Sequence, residues 1–157
     1  MLIRLATLAD IAGVASLVEQ YWVFEDIAGF DRPRIETLLQ GLLLEPTRGA
    51  CWVAEAQENL CGYLLAVFVF SLEHGGLMAE IDEFFVASEM RSSGLGALLL
   101  GHAERDFARR GLVRAQLQLG SDNHRGRLFY ERHGFLERSG YELLDKPAQT
   151  SGSSTSR

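Results

Sequence analysis

The chain has 157 residues, of which 47% are apolar and 23% charged, and its formal net charge is −6. These values predict one domain with one core, and they exclude two independent cores or a wholly disordered chain. The longest apolar run, 63–70, is far shorter than the roughly 20 residues of a membrane span, and the amino terminus lacks the features of a signal peptide. We therefore expect a cytoplasmic protein with no membrane partner.

The charges are distributed unevenly along the chain. Residues 1–90 contain four arginines and 14 acidic residues, whereas residues 91–157 contain 10 arginines, one lysine and seven acidic residues. This asymmetry indicates an anionic ligand held by the second half and a cationic ligand held by the first, although ordinary solvated faces would also produce it. Because the whole chain is acidic, nucleic acid is not expected as a partner.

The first 46 residues predict a strand followed by two helices. A strand covers 2–5, and Thr7 with Asp10 forms a capping-box-like pair before a helix over 8–24. Apolar residues recur there at helical spacing, so this helix is amphipathic. Pro33 opens a second helix, which ends before Pro46.

The middle of the chain changes to strand periodicity. Strands over 51–56, 61–71 and 78–86 are joined by short polar turns, which predicts an antiparallel meander. Cys51 and Cys61 fall in these apolar strands, and we expect both to be buried, reduced thiols.

The last third predicts a helix from about Leu95 to Arg110, a strand over 113–119, and a helix that Asp122 or Asn123 caps. Residues 135–144 predict a final strand or strand pair. The fold class is therefore α+β (mixed α/β), with one mostly antiparallel sheet of six or seven strands flanked by about four helices. The domain covers 1–146, and 147–157 is expected to be a disordered tail.

Residues 91–97 (RSSGLGA) follow a strand and open a helix. Unpaired amides and the positive end of the helix dipole favour an anion there, and glycine lets the backbone approach it closely. A Walker A loop is excluded because the only lysine is Lys146, and a Rossmann fingerprint is excluded because Leu99 replaces its third glycine. The segment predicts a pyrophosphate cradle, with a simple tight turn as the alternative.

The pattern Arg91-x-x-Gly94-x-Gly96, placed after a meander and before a helix, resembles the acyl-CoA loop of the GNAT superfamily of N-acetyltransferases. Asn123, followed by a small residue at Gly126 and by Tyr130-x-x-x-Gly-Phe, is similar to the second sequence block of that family. The match in order and spacing extends from residue 2 to about residue 144.

The resemblance implies a fold with splayed strands at the acyl-CoA site, acetyl-CoA as cosubstrate, and direct acyl transfer without an acyl-enzyme. It also implies site residues. Backbone amides of 92–97 would hold the pyrophosphate, 84–86 would line the pantetheine arm, Asn123 would bond its far end, and Tyr130 would lie near the thioester sulfur. The implied cosubstrate contacts are Phe84, Phe85, Val86, Arg91, Ser92, Ser93, Gly94, Leu95, Gly96, Ala97, Asn123 and Gly126.

Thioester aminolysis requires a base for the amine and an acid for the departing thiolate. Tyr130 is suited to the acid role, because a phenol pKa of about 10 lies near that of a thiol. Three carboxylates, Glu80, Asp82 and Glu83, are candidates for the base, in the order Asp82, Glu80, Glu83. Strand alternation places Glu80 and Asp82 on one face and Glu83 on the other, unless a bulge intervenes.

The stretch IDEFFV at 81–86 resembles diamine and polyamine acetyltransferases, and Glu25 with Asp26 resembles their amine-holding acids. Glu25, Asp26, Asp82 and Glu83 would then form an anionic pocket for a small cationic amine. Amino acids, aminoglycosides and basic polypeptides are not separated from polyamines by the sequence. Two further alternatives are an acyl-CoA binder without turnover and an acetyltransferase acting on aminoacyl-tRNA.

The four histidines are scattered and the two cysteines form no metal-ligand pattern, so no metal is expected. The resemblance also implies a homodimer.

Overall fold

A computed structural model of the chain describes residues 1–149. The elements in chain order are listed here with their bounds: β1 Leu2–Leu5, α1 Ile11–Phe24, α2 Arg32–Leu43, β2 Gly49–Ala56, β3 Asn59–Ser71, β4 Gly76–Val86, α3 Leu95–Arg109, β5 Ala115–Leu117 and α4 His124–Arg132. Short 3-10 turns cover Leu8–Asp10 and Ser88–Met90. The predicted α+β class is confirmed.

The sheet has the strand order β1-β2-β3-β4-β5. Every neighbouring pair is antiparallel except β4 with β5, which are parallel. Both faces of the sheet are covered at its centre, because β2 is buried at every position of 49–54 and β3 at every position of 61–66. One face packs against α1 and α2, and the other packs against α3.

Pairing between β4 and β5 is short. It joins residues 79–81 to residues 115–117 and ends at Ile81 and Leu117. Beyond Ile81, residues 83–86 of β4 therefore pair with β3 alone, and among residues 1–149 no strand lies along their other edge. The parallel strands separate at this point, which agrees with the expected splay and leaves backbone groups of β4 free to pair with a ligand.

A β-bulge lies at the same point of β4. Glu83 is opposite Leu65 and Ile81 is opposite Ala66, so Asp82 is the extra residue. Cross-strand partners point to the same face of a sheet, and the bulge therefore brings Glu83 to the face covered by α1. Regular strand alternation would have placed Asp82 and Glu83 on opposite faces of the sheet. The bulge interrupts that alternation.

The predicted sixth and seventh strands are not formed. Residues 135–144 carry no regular secondary structure, and the predicted strand 113–119 is reduced to the three residues of β5. Gly134 and Gly140 have φ values of +86° and +87°, which interrupt an extended conformation. Leu136 and Leu143 in this segment are largely exposed, and Phe135 at its start packs against the core.

Residues 147–149 have no regular secondary structure, and the rest of the predicted tail, 150–157, lies outside the described residues. Within residues 1–149, no helix combines the length and the apolar character needed to cross a membrane.

Arg4 connects β1 to the start of α1 and to β2. Its guanidinium donates to both oxygens of Asp10, at 2.7 and 2.9 Å, and to Glu55 at 2.8 Å. The hydrogen bonds from Arg4 lower the pKa of Asp10 to about 2. Charge-assisted hydrogen bonds of this kind are stronger than neutral ones.

We predict that Asp10→Asn lowers the free energy of unfolding by about 1–2 kcal/mol at neutral pH, because Arg4 loses a charged partner. The folded-state pKa of Asp10 lies below its ordinary value of 3.8, so this stabilisation is present above about pH 4 and disappears as the pH falls towards 2. Urea denaturation at neutral and acidic pH measures the difference. Glu58→Gln, in an exposed turn, is the matched control, and a pH-independent effect of Asp10→Asn would contradict the assignment.

Candidate active site

A cleft of about 610 Å³ opens between the end of α1, the free edge of β4, the loop before α3, and α4. We call it the loop cleft. The cosubstrate contacts implied by the sequence resemblance line it, with the exception of Ser93. Those lining residues are Phe84, Phe85, Val86, Arg91, Ser92, Gly94, Leu95, Gly96, Ala97, Asn123 and Gly126. Residues as far apart in the chain as Tyr21 and Gly126, which are 105 positions from each other, therefore meet in one depression.

The loop before α3 presents backbone amides to this cleft. Gly94 is the N-cap of α3 and has a φ of +82°, a conformation that favours glycine. The first amide that bonds within the helix is that of Leu98, which donates to Gly94 at 3.2 Å. The amides of Gly96 and Ala97 consequently have no intrahelical acceptor and lie at the positive end of the helix dipole.

Ser93 has a structural role in the same loop. Its hydroxyl donates to the Met90 carbonyl at 2.6 Å and accepts from the Leu95 amide at 3.4 Å. These bonds hold the turn that precedes α3.

Two arginines flank the loop in different ways. Arg91 donates from Nε to the Val86 carbonyl at 3.0 Å, and its guanidinium lies 4.3 Å from the ring centre of Phe24. Arg91 thus ties the loop to β4 and to the end of α1. Arg125, from α4, donates to the Ser92 hydroxyl at 3.4 Å, which places a second positive charge across the mouth of the cleft.

Asn123 caps α4 and explains the glycine three residues later. Its side-chain oxygen accepts from the Gly126 amide at 2.8 Å. A β-carbon on Gly126 would lie only 2.7 to 2.8 Å from the Asn123 amide group. The capping bond uses the oxygen of that amide and leaves its NH₂ group as a donor at the cleft wall.

Tyr130 lines both the loop cleft and a second cleft of about 960 Å³ alongside β5, which we call the β5 cleft. Its ring packs between Phe129 at 5.3 Å and Phe135 at 5.5 Å, with Phe84 at 6.4 Å. Burial raises the pKa of Tyr130 above its ordinary value, and nearby Tyr21 and Glu25 act in the same direction. The phenol therefore stays protonated at neutral pH.

The three acids of β4 have different surroundings. Glu80 accepts a hydrogen bond from Gln116 of β5 and lines the β5 cleft. Glu83 is half-buried and accepts two hydrogen bonds, from Trp22 Nε1 at 2.7 Å and from the Tyr63 hydroxyl at 2.6 Å.

Asp82, the bulge residue, is exposed, and its carboxylate accepts no hydrogen bond from residues 1–149. Surrounding protein still removes enough water to raise the pKa of Asp82. Burial also raises the pKa of Glu83, whereas its bonds from Tyr63 and Trp22 act to lower it. Asp82 and Glu83, neighbours on β4, therefore differ in the number of hydrogen bonds that fix their carboxylates.

The end of α1 brings a fourth acid to this region. Burial, together with the charges of Glu25, Glu83 and Asp82, raises the pKa of Tyr21 to about 12. Glu25 lines the loop cleft. Asp26, Asp82 and Glu83 line neither cleft. Of the four acids of the expected anionic pocket, Glu25 alone lines the loop cleft, and the pocket stays a prediction.

Four residues near the site were not identified as functional from the sequence: Tyr21, Trp22, Tyr63 and Arg125. Tyr21 is one helical turn before Glu25, so helical spacing could have indicated it. Arg125 follows Asn123 closely and could have been included with it. No local signal connects Trp22 or Tyr63 to Glu83, which is 61 and 20 residues away in the chain.

Residues 1–149 contain no group of three or more His, Cys, Asp or Glu side chains arranged to hold a metal ion. Cys51 and Cys61 are both buried and unpaired with each other, as expected.

Comparisons with known proteins agree with this geometry. The family model described as "Acetyltransferase (GNAT) family" matches residues 11–135. An uncharacterized N-acetyltransferase of Bacillus subtilis (strain 168), YhfO, is 28% identical over 95% of this chain and 100% of its own length. An uncharacterized N-acetyltransferase of Archaeoglobus fulgidus is 32% identical over 72% of this chain and 77% of its own length.

Among solved structures, a predicted acetyltransferase from Clostridium acetobutylicum, determined with acetyl-CoA, superposes with a TM-score of 0.79. The match covers 92% of this chain and 95% of that one, at 17% identity, which shows a shared fold. The local resemblance to diamine and polyamine acetyltransferases receives no support from these comparisons. Because the family model covers most of the chain, the chain belongs to the acetyltransferase (GNAT) family, whose members are acyl-CoA N-acyltransferases.

Proposed function

We propose that the protein transfers the acetyl group of acetyl-CoA directly to the primary amine of a small cationic substrate, polyamines included. The observation that carries this proposal is the position of Tyr130. Tyr130 lines the same cleft as the amide-bearing loop, and Glu25 of α1 lines that cleft too.

The loop cleft fits acetyl-CoA. The free amides of Gly96 and Ala97 suit a pyrophosphate, and Gly94 permits the required turn. The unpaired edge of 84–86 suits the amide groups of the pantetheine arm, with Asn123 as a further donor. Arg125, and Arg91 at the rim, would add positive charge near the phosphates.

Asp82 is best suited to take the amine proton. An ammonium has no lone pair, so one proton must leave before the nitrogen attacks the thioester carbonyl carbon. Asp82 carries no competing hydrogen bond, unlike Glu80 and Glu83, and its raised pKa favours proton uptake. The proton passes to Asp82 through water, the new C–N bond replaces the C–S bond, and Tyr130 donates a proton to the sulfur.

A thiol-release assay with acetyl-CoA and an amine panel tests the proposal. The panel contains spermidine, 1,4-diaminobutane, lysine, an aminoglycoside, a basic peptide and an aminoacyl-tRNA. Turnover of a small cationic amine is expected. Turnover of only the peptide or only the tRNA would show that the substrate is not a small cationic amine. Acetyl-CoA binding without any turnover would favour a binding protein. The homodimer and the cytoplasmic location stay predictions.

We predict that Tyr130→Phe lowers kcat at least about tenfold, because the thiolate loses its proton donor. The affinity for acetyl-CoA should change by less than about twofold, since the ring packing is kept. Steady-state kinetics and equilibrium binding measure the two quantities. Tyr141→Phe is the matched control because Tyr141 is 68% exposed. An unchanged kcat in Tyr130→Phe would show that Tyr130 is not the proton donor for the thiolate.

We predict that Gly126→Ala weakens acetyl-CoA binding about tenfold or more, because the added β-carbon displaces the Asn123 amide. Gly41→Ala is the control, since a β-carbon on Gly41 in α2 meets no atom within 4 Å. Calorimetric titration with acetyl-CoA compares the two variants. Equal affinities, with both proteins folded, would exclude Asn123 from the binding site.

A further inference from the structure

Glu83 is a half-buried carboxylate that the proposed reaction does not use. It lines neither the loop cleft nor the β5 cleft. One of its oxygens accepts from Trp22 Nε1 of α1 at 2.7 Å, and the other accepts from the Tyr63 hydroxyl of β3 at 2.6 Å. Burying a carboxylate costs free energy, and the donors from two other elements offset that cost. The contacts of Glu83 are therefore within the protein.

The bond between Trp22 and Glu83 joins two walls of the loop cleft. The last turn of α1 forms one wall, and residues 84–86 of β4 form another. In the part of the chain that the structure describes, no other side-chain hydrogen bond joins α1 to β4. Ring contacts also connect the two walls, for example Tyr21 with its ring centre 5.8 Å from that of Phe85. Because ring contacts tolerate several arrangements, the hydrogen bond fixes how far apart the walls lie.

The bond between Tyr63 and Glu83 holds the bulge of β4 in place. Tyr63 is fully buried, so its hydroxyl has a fixed position in the core. Glu83 lies opposite Leu65, on the same face of the sheet as Tyr63, because Asp82 is the extra residue of the bulge. A regular strand at this point would turn Glu83 to the other face and break the bond. The bond thus favours the register in which 83–86 keep a free edge.

We infer that Glu83 is a positioning residue: through Trp22 and Tyr63 it fixes the end of α1 against the bulged part of β4, and so holds the loop cleft in the form that binds acetyl-CoA. This role rests on the proposed function, because it takes the loop cleft as the acetyl-CoA site. Glu83 itself touches no substrate and transfers no proton. What the role requires is two acceptor oxygens, which the ionised carboxylate supplies.

Protonation of Glu83 would weaken this arrangement, because a neutral carboxyl group turns one oxygen into a donor and leaves one of the two partners without an acceptor. Burial and the charge of Asp82 raise the pKa of Glu83, whereas its two hydrogen bonds lower it. The groups that face Glu83 are Tyr63 of β3, Cys51 of β2, Tyr21 and Trp22 of α1, and Asp82 of β4. The affinity for acetyl-CoA should therefore be full above the pKa of Glu83 and decrease as the pH falls through it.

Glu83→Gln tests the requirement for two acceptors, because glutamine keeps the length of the side chain and has one acceptor oxygen. Calorimetric titration with acetyl-CoA from about pH 5 to about pH 8 compares it with the wild type. At neutral pH the wild type should bind at least about tenfold more tightly. The difference should shrink as the pH falls, because protonated Glu83 resembles glutamine.

Glu55→Gln is the matched control. Glu55 is also a partly buried carboxylate, it accepts from Arg4 at 2.8 Å, and it lines neither cleft. This variant should lower the melting temperature and leave the affinity for acetyl-CoA within about twofold of the wild-type value.

The two donors should differ in their effects. Trp22→Phe removes the bond between α1 and β4 and should weaken acetyl-CoA binding at neutral pH by about fivefold or more. Tyr63→Phe keeps that bond and should mainly move the pH dependence of binding upwards, because the ionised Glu83 loses a donor. A merely structural role would lower the melting temperature of all three variants, with the affinity and its pH dependence unchanged. That result would overturn the positioning role and leave the proposed function intact.

Fluorescence tests the bond to Trp22 without any ligand. The chain has two tryptophans, and subtracting the emission of Trp22→Phe from that of the wild type isolates Trp22 from the buried Trp52. The isolated emission should change as Glu83 is protonated, and Glu83→Gln should abolish this change. A wild-type protein that shows the change but does not bind acetyl-CoA would reject the proposed function together with the positioning role. Acetyl-CoA binding that is equal in the wild type and Glu83→Gln would reject the positioning role alone.

Discussion

The separation of β4 from β5 after Ile81 is the constraint on which the site depends. A sheet normally satisfies its backbone groups by pairing every strand, and here pairing stops in the middle of the domain. The free edge of 82–86 gives a ligand backbone partners, and the gap between the strands gives it room. The loop before α3 and the start of α4 adjoin this gap, because β4 leads into that loop and β5 leads into α4.

The bulge at Asp82 lies at the same place and determines the chemistry of the acids. Without the extra residue, Glu83 would face away from Trp22 and Tyr63, and its burial would have no compensating hydrogen bonds. With it, one carboxylate is held by two donors while its neighbour is free. A difference of one residue in register thus gives two adjacent carboxylates different surroundings.

The parts of the structure that depend on local chemistry could be predicted from the sequence. Gly94 and Gly96 marked the loop, Asn123 with Gly126 marked the cap of α4, and the helices followed their apolar spacing.

Features that depend on distant partners could not be predicted. The bulge depends on the register with β3, and the bonds of Glu83 come from residues 20 and 61 positions away. The sequence predicts a strand or strand pair over 135–144, but strands also need a partner edge, and a glycine with positive φ interrupts this segment.

The most direct measurement is a crystal structure of the protein with CoA and 1,4-diaminobutane. We expect the pantetheine arm along 84–86, the thiol near the Tyr130 hydroxyl, and one diamine nitrogen facing Asp82. CoA bound outside the loop cleft, or a diamine bound in the β5 cleft beside Glu80, would contradict this account.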